Sequence, residues 1–421
     1  MIAKLAWKNI WFKPLNTVLS VILLTSSVAI ITTLILVEKQ FEEKFSSNIE
    51  DVDLVLGAQG SPLQLILSSV YQVDAPTGNI NYDSAKVWME HPFVEKAIPL
   101  AFGDNYRGYK ILGTTHDYLT KFKAKVSDGR LYEKNFEVVV GSEIAQKLNI
   151  SVGDEFFGSH GDAEEGEVHE NYAYKVVGIA THTGKVVDNL ILCTIPTVWQ
   201  MHHGHEENPA HGEEGHVHEE GEHEHEHEHE EADLTLDEPN MEITAVLLKI
   251  RNQMAKLTWQ RVIPQNTKMQ AVSPAFEVNR LFGLFGIGVT ALQYLAYGIM
   301  LISGISIFIA LFNTLKERKS EFALMRVNGA GRFQLLKLVM IESLLLCVVG
   351  FVFGTILGRV ALSFLSNSSE EDFKMSFNPY EFLWEKEGTL FLLTLFVGFI
   401  AALIPAIKAY NLNISKTLAN A

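Results

Sequence analysis

Four stretches of this chain are too long and too poor in charge to be strands or ordinary core helices. Residues 15–37 and 281–315 contain no charged residue at all. Residues 335–358 are interrupted only near their start, by Lys337 and Glu342, and 388–407 again carry no charge. A hydrocarbon core about 30 Å thick is crossed by about 20 helical residues at ~1.5 Å each. Inside it only a helix or a closed barrel satisfies its own backbone. The pattern predicts a multi-pass α-helical membrane protein with four transmembrane helices. The second run exceeds one bilayer, so it must tilt or project as a stalk. The first run follows Lys4, Lys8 and Lys13, as a signal peptide would. It is nevertheless longer than the ~7–15 residues of a cleavable apolar segment, and it reads as an anchor.

Lys and Arg set the expected orientation, because basic residues favour cytoplasmic loops. Lys316, Arg318, Lys319, Arg326, Arg332 and Lys337 cluster between the second and third runs, and Lys408 and Lys416 follow the fourth. Glu370, Glu371 and Asp372 follow the third. The expected layout is a cytoplasmic N-terminus (1–14), a first span (15–37) and an extracytoplasmic domain (38–275). A stalk and second span (276–315), a cytoplasmic helix (316–334) and a third span (335–358) come next. An outer loop (359–387), a fourth span (388–407) and a cytoplasmic tail (408–421) complete it.

The segment 38–275 is long enough for its own core. Runs rich in Val, Ile and Tyr at 136–140, 172–179 and 243–250 read as strands, and 84–90 and 142–148 as helices. A large mixed α/β domain between the first and second spans is expected. The apolar run 63–71 would pack under that domain or lie on a membrane surface.

The net charge of −16 is local. Residues 201–240 hold 15 of the 50 acidic residues and no Lys or Arg, so the rest is within one charge of balance. No basic patch suggests a nucleic-acid partner. The same insert carries His202, His203, His205, His211, His216, His218, His223, His225, His227 and His229. Alternating Glu and His from 222 to 230 would line imidazoles along one edge of an extended chain. On a helix, His223/His227 and His225/His229 would pair at i,i+4. Such ligands suit zinc or another divalent transition metal. A solvated loop with incidental metal affinity remains the other reading, since this composition builds no core.

The chain has two cysteines, Cys193 and Cys347, and no CxxC motif. The nearest approach to a phosphate-binding loop, GDNYRGYK at 103–110, lacks the required GxxxxGK[ST] pattern. The chain is therefore read as a non-enzyme, with any ATP bound by a partner subunit.

Residues 316–330 (KERKSEFALMRVNGA) form a short mixed-charge segment between two spans. Phe322, Leu324 and Met325 are expected as apolar knobs, with Gly329 ending the helix in the left-handed region. A short helix of this kind suits a groove on a partner. In the third span Gly350, Gly354 and Gly358 form two overlapping GxxxG repeats. They permit close helix approach, either between two copies of the chain or against another span of the same copy.

These features resemble the MacB/FtsX-type ABC transporter permeases, an FtsX-like permease with a MacB-like periplasmic core domain. The order of one span, an outer domain and three spans matches. Residues 318–330 (RKSEFALMRVNGA) are similar to that family's coupling motif R-x-E-x-x-x-L-R-x-x-G-A. The outer segments 129–132 (GRLY), 139–145 (VVGSEIA), 152–154 (VGD) and 174–179 (YKVVGI) resemble its core domain. The resemblance implies that Glu321, Phe322, Leu324, Met325, Arg326, Gly329 and Ala330 couple to a separate ABC ATPase subunit. It also implies a homodimer in the bacterial cytoplasmic (inner) membrane, and an extracytoplasmic domain that meets a periplasmic adaptor or lipoprotein. Export, lipoprotein handling and mechanotransmission are all compatible with it. The alternative from another class is a metal-binding or metal-sensing membrane protein acting through its His-rich loop.

Overall fold

The computed structural model describes residues 6, 14–159, 168–206, 235–373 and 377–413. They fall into two compact units, one within 44–281 and one formed from 1–43 and 282–421.

The 44–281 unit is built on strands β1 (Leu54–Ala58), β2 (Ile80–Asn81), β3 (Val94–Tyr106) and β4 (Tyr109–Thr114). Next come β5 (Val126–Gly129), β6 (Glu137–Val140), β7 (Glu155–Ser159) and β8 (Val168–Ala180). The set closes with β9 (Ile191–Cys193), β10 (Glu242–Ile243), β11 (Ala245–Ile250) and β12 (Met269–Val272). Ten of them form one sheet in the order β12-β1-β11-β3-β4-β9-β6-β8-β5, with β7 beside β3 and β8. β4 runs parallel to β9 and β6 parallel to β8; the remaining pairs of this sheet are antiparallel. β2 and β10 make a separate ribbon.

Leu54, Val55 and Leu56 of β1 are all fully buried, as are Val138, Val139 and Val140 of β6. Consecutive buried β-branched and aliphatic residues mean that both faces of the sheet are covered. Helices Tyr82–Met89, Ile195–Glu206 and Gln253–Asn266 add aromatic anchors to this core. Trp88 meets Trp259 edge to face at 5.2 Å, and Tyr82 meets Trp199 at 5.6 Å. The indole of Trp199 donates to Glu242 O at 2.7 Å, so its buried N–H is satisfied. The 63–71 run forms helix Pro62–Ser69, which buries Leu65 and Ile66, the packing alternative of the two expected.

At the start of β6, Glu137 takes a two-pronged salt bridge from Arg130. It also accepts from Glu133 N at 2.9 Å and Lys134 N at 3.2 Å. The Arg130 guanidinium foremost, then the two backbone N–H groups, hold this carboxyl at about 2 against the opposing effect of burial.

Among the described residues, four helices are long and apolar enough to cross a membrane. They are Pro14–Asn48, Pro274–Glu317, Arg332–Phe373 and Trp384–Tyr410. Each outlasts its apolar run, because helix propagation continues through polar residues once the turn is established. The third helix in particular runs on to Phe373, well past 358, so helix occupies much of the segment expected as an outer loop. The second ends at Glu317 and the short helix covers only Lys319–Val327.

In the 1–43/282–421 unit the glycine repeat meets the first helix, one of the two partners expected for it. A Cβ on Gly350 would stand 2.6 Å from Leu24 Cδ2, and one on Gly354 2.6 Å from Val28 Cβ. A Cβ on Gly358 would stand 2.8 Å from Ala29 O. The repeat packs against the first helix of the same chain, as small residues allow. A hydroxyl reinforces the contact, Thr33 Oγ1 donating to Gly358 O at 3.0 Å, and Ser27 Oγ ties the first helix to the second by donating to Ala296 O at 2.9 Å. Arg359 of the third helix pairs with buried Glu387 of the fourth at 2.7 Å and also donates to Glu381 O. Cys193 and Cys347 are free and buried, one in each unit. Burial pushes the Cys193 thiol far up.

Candidate functional site

Arg318 breaks the helical geometry between Glu317 and Lys319, with φ −96° and ψ 20°. It thereby starts the short helix Lys319–Val327 beside the end of the second span. The helix has two chemically different faces. Phe322 and Ala323 are buried, at 2% and 0% exposure, and Phe322 joins the core shared by the apolar helices. Glu321, Leu324 and Val327, spaced by three, lie on the opposite arc and are exposed.

Phe322 is thus not an outward knob, which corrects its expected role. A phenyl ring gains about 1.5–3 kcal/mol by leaving water; here that gain is realised inside this chain. Met325 is half-buried against the same core. Of the three expected knobs only Leu324 points out, at 53% exposure, and Val327 at 60% joins it. Spacing at i,i+3 is the signal that identifies Val327, because those positions share a helix face.

Arg318, Glu321 and Arg326 are held rather than free. Arg318 Nε and Nη2 donate to Glu321 Oε2 at 2.8 and 2.6 Å. Arg326 Nη1 donates to Ala330 O at 3.3 Å. Gly329 adopts φ +96°, a conformation that strains any residue with a Cβ. It lets Ala330 N reach back to Met325 O at 3.0 Å, closing the last turn. The chain then turns into the third helix at Arg332, with Phe333 62% exposed. The result is a short, internally braced helix that offers Glu321, Leu324 and Val327 outward.

In the structure Glu342 is buried, and Lys337 Nζ lies 5.5 Å from the Phe333 ring centroid.

The other candidate site is the His-rich insert. His202, His203 and His205 fall on the last turns of helix Ile195–Glu206. His211, His216, His218, His223, His225, His227 and His229 lie outside the described residues. Among the described residues, no group of three or more His, Cys, Asp or Glu side chains is placed to hold a metal ion.

Two family descriptions match the chain: a MacB-like periplasmic core domain over residues 16–213 and an FtsX-like permease C-terminal region over 294–414. Among curated proteins, the macrolide export ATP-binding/permease protein MacB of Campylobacter jejuni is 28% identical over 114 residues. That match covers 27% of this chain and 17% of the relative. Its namesake from Agrobacterium fabrum is 28% identical over 120 residues, 28% of this chain and 18% of that protein. The chain thus spans less than a fifth of these relatives' length.

Two solved structures are also similar. The periplasmic region of MacB from Actinobacillus actinomycetemcomitans aligns over 56% of this chain and 97% of its own, at 10% identity and a TM-score of 0.35. The extracellular domain of the noncanonic ABC-type transporter YknZ from Gram-positive bacteria aligns over 52% and 99%, at 12% identity and a TM-score of 0.30. With an α/β domain between the first and second of four spanning helices, and both family regions in register with that layout, the chain belongs to the MacB/FtsX-type ABC permeases of the bacterial cytoplasmic membrane.

Proposed function

We propose that this chain is the permease subunit of an ABC-type complex whose ATP is bound and hydrolysed by a separate subunit. The ATPase docks on the exposed arc of Lys319–Val327, and its motion is passed through the spans to the 44–281 unit. One observation carries the reading. The short helix buries Phe322 among the apolar helices while leaving Leu324 and Val327 uncovered. A helix anchored on one side and apolar on the other moves with whatever seats on it. Single exposed apolar side chains are ordinary, but a stripe beside a braced cap fits helix-in-groove recognition.

In this reading both termini and residues 316–334 face the cytoplasm, and the 44–281 unit lies outside. The permease works as a homodimer, for which the exposed Leu284, Ile287, Leu295 and Leu301 of the second helix supply an apolar stripe. An adaptor or lipoprotein is the expected outer partner.

The test is co-purification with the cognate ATPase. The chain alone should hydrolyse no ATP, and Leu324→Asp with Val327→Asp should reduce ATPase capture at least tenfold while the permease stays folded. Reversing charge at Glu321 and Arg326 should act in the same direction. Unchanged assembly in both variants overturns the reading.

A second reading, metal sensing or buffering through the insert, rests on ten histidines within 202–229. Zinc or another divalent transition metal would regulate the permease there. Deleting 202–231 separates the two. Loss of metal response alone makes the insert accessory; a phenotype that survives removal of the ATPase makes it primary.

A further inference from the structure

Within the 44–281 unit, the end of the first helix carries a constellation that the docking reading leaves unused. Its final carbonyl, that of Asn48, accepts a hydrogen bond from Lys121 Nζ at 2.7 Å. Asn48 Oδ1 accepts from Val186 N at 3.2 Å, and Tyr71 Oη donates to Phe45 O at 2.8 Å. Lys121 is 8% exposed, and its Nζ stands 3.7 Å from the Phe122 ring centroid. Beside it lies a cavity of about 240 Å³ walled by Val52, Ile98, Leu247 and Thr120.

The charges around this cavity do not balance. Asp51 is engaged by Lys249 at 2.6 Å and Asp117 by Lys96 at 2.9 Å. Glu50 is shared between Lys123 at 3.4 Å and Lys185 at 3.3 Å. Glu95, the remaining carboxylate of the wall, is exposed. Against these four carboxylates stand five lysines, and Lys121 makes no ion pair among the described residues. A buried ammonium without a counter-charge is costly unless something supplies one. Burial, then repulsion from Lys185, lower the Lys121 pKa to about 7, against the weaker pull of Asp51 and Glu50.

We propose that this cavity binds a short-chain monocarboxylate, with its carboxylate on Lys121 Nζ and its aliphatic chain against Val52, Ile98 and Leu247. One surplus positive charge asks for one negative charge; a dianion would also meet Asp51 and Glu95. Three apolar walls favour an aliphatic acid over an inorganic ion. The volume lies below the roughly 300–1,000 Å³ of drug-sized sites, so the ligand is small. The carboxylate binds the ammonium form of Lys121, so affinity is full below the lysine's pKa and falls as pH rises above it.

Butyrate titrated into the full chain in detergent, followed by calorimetry, tests the proposal. Binding is expected at about pH 6, with affinity at least tenfold weaker at about pH 9. The neutral isostere butyramide should not bind. Lys121→Met should abolish butyrate binding, and Lys121→Arg should retain it at both pH values. Thr120→Trp changes an exposed residue of the cavity wall, leaves Lys121 intact and should block entry, which keeps the test decisive if Lys121→Met misfolds. No butyrate binding at about pH 6, equal binding of butyramide, or undiminished binding in a folded Lys121→Met or Thr120→Trp variant overturns it.

Discussion

The two compact units of this chain use the same aliphatic residues in opposite ways. In the 44–281 unit Val, Ile and Leu cover both faces of a sheet, and Trp88, Trp199 and Trp259 seal its helices. Burial of apolar area is the driving force there. In the other unit much of the apolar surface stays uncovered, with Leu284, Ile287, Leu301 and Phe364 all more than 60% exposed. Contact between helices is made instead by Gly350, Gly354 and Gly358 and by serine and threonine hydroxyls. Lipid is as apolar as leucine, so association in a membrane comes from close packing and hydrogen bonds. Deleting bulk should therefore damage the first unit, and adding bulk the second.

Trp259→Ala gives the largest expected effect, about 3–5 kcal/mol, because a large buried side chain leaves a cavity. Calorimetry should show the melting of the 44–281 unit displaced and that of the helices retained; equal loss of both transitions breaks the comparison. Gly354→Leu comes next, at about 1–3 kcal/mol from overpacking. It should lower the thermal stability of the helices in detergent, while the mirror change Val28→Gly is expected to be milder. A Gly354→Leu variant as stable as the parent would mean that the first and third helices do not approach as described.

Acid sharpens the contrast further. The carboxyl of Glu137 is held at about 2, below its ordinary value, so the unfolded chain binds its proton first as pH falls. The stabilisation is present above the ordinary glutamate range and is lost as pH falls toward about 2. Glu137→Gln should flatten that acid limb of the melting curve of the 44–281 unit; an unchanged limb assigns it to other carboxylates. Smallest of all is Ser27→Ala, which removes one interhelical hydrogen bond, on average worth ~0.6 kcal/mol in membrane proteins. A loss of several kcal/mol there would make hydroxyl contacts, not glycines, the main fastening.

Much of the membrane architecture was legible because charge-free length is a one-dimensional property. The short helix at 319–327 was legible from its mixed charge and terminal glycine, but its facing was not. Phe322 and Leu324 are equally apolar in the sequence, and only the presence of the neighbouring helices on one side buries the first and exposes the second. Arg359 and Glu387 lie 28 positions apart with no local pattern joining them. Lys121 reads as an ordinary basic residue until its surroundings remove its water.

From the chain alone come the four spanning helices and the α/β module between the first two. Each follows from composition and spacing acting over short windows: apolar length against bilayer thickness, and β-branched runs. Strand order, the choice of the first helix as partner for the glycine repeat, the inward turn of Phe322 and the uncompensated Lys121 were decided by tertiary structure. They depend on which distant residues become neighbours, and burial and charge balance are properties of neighbours.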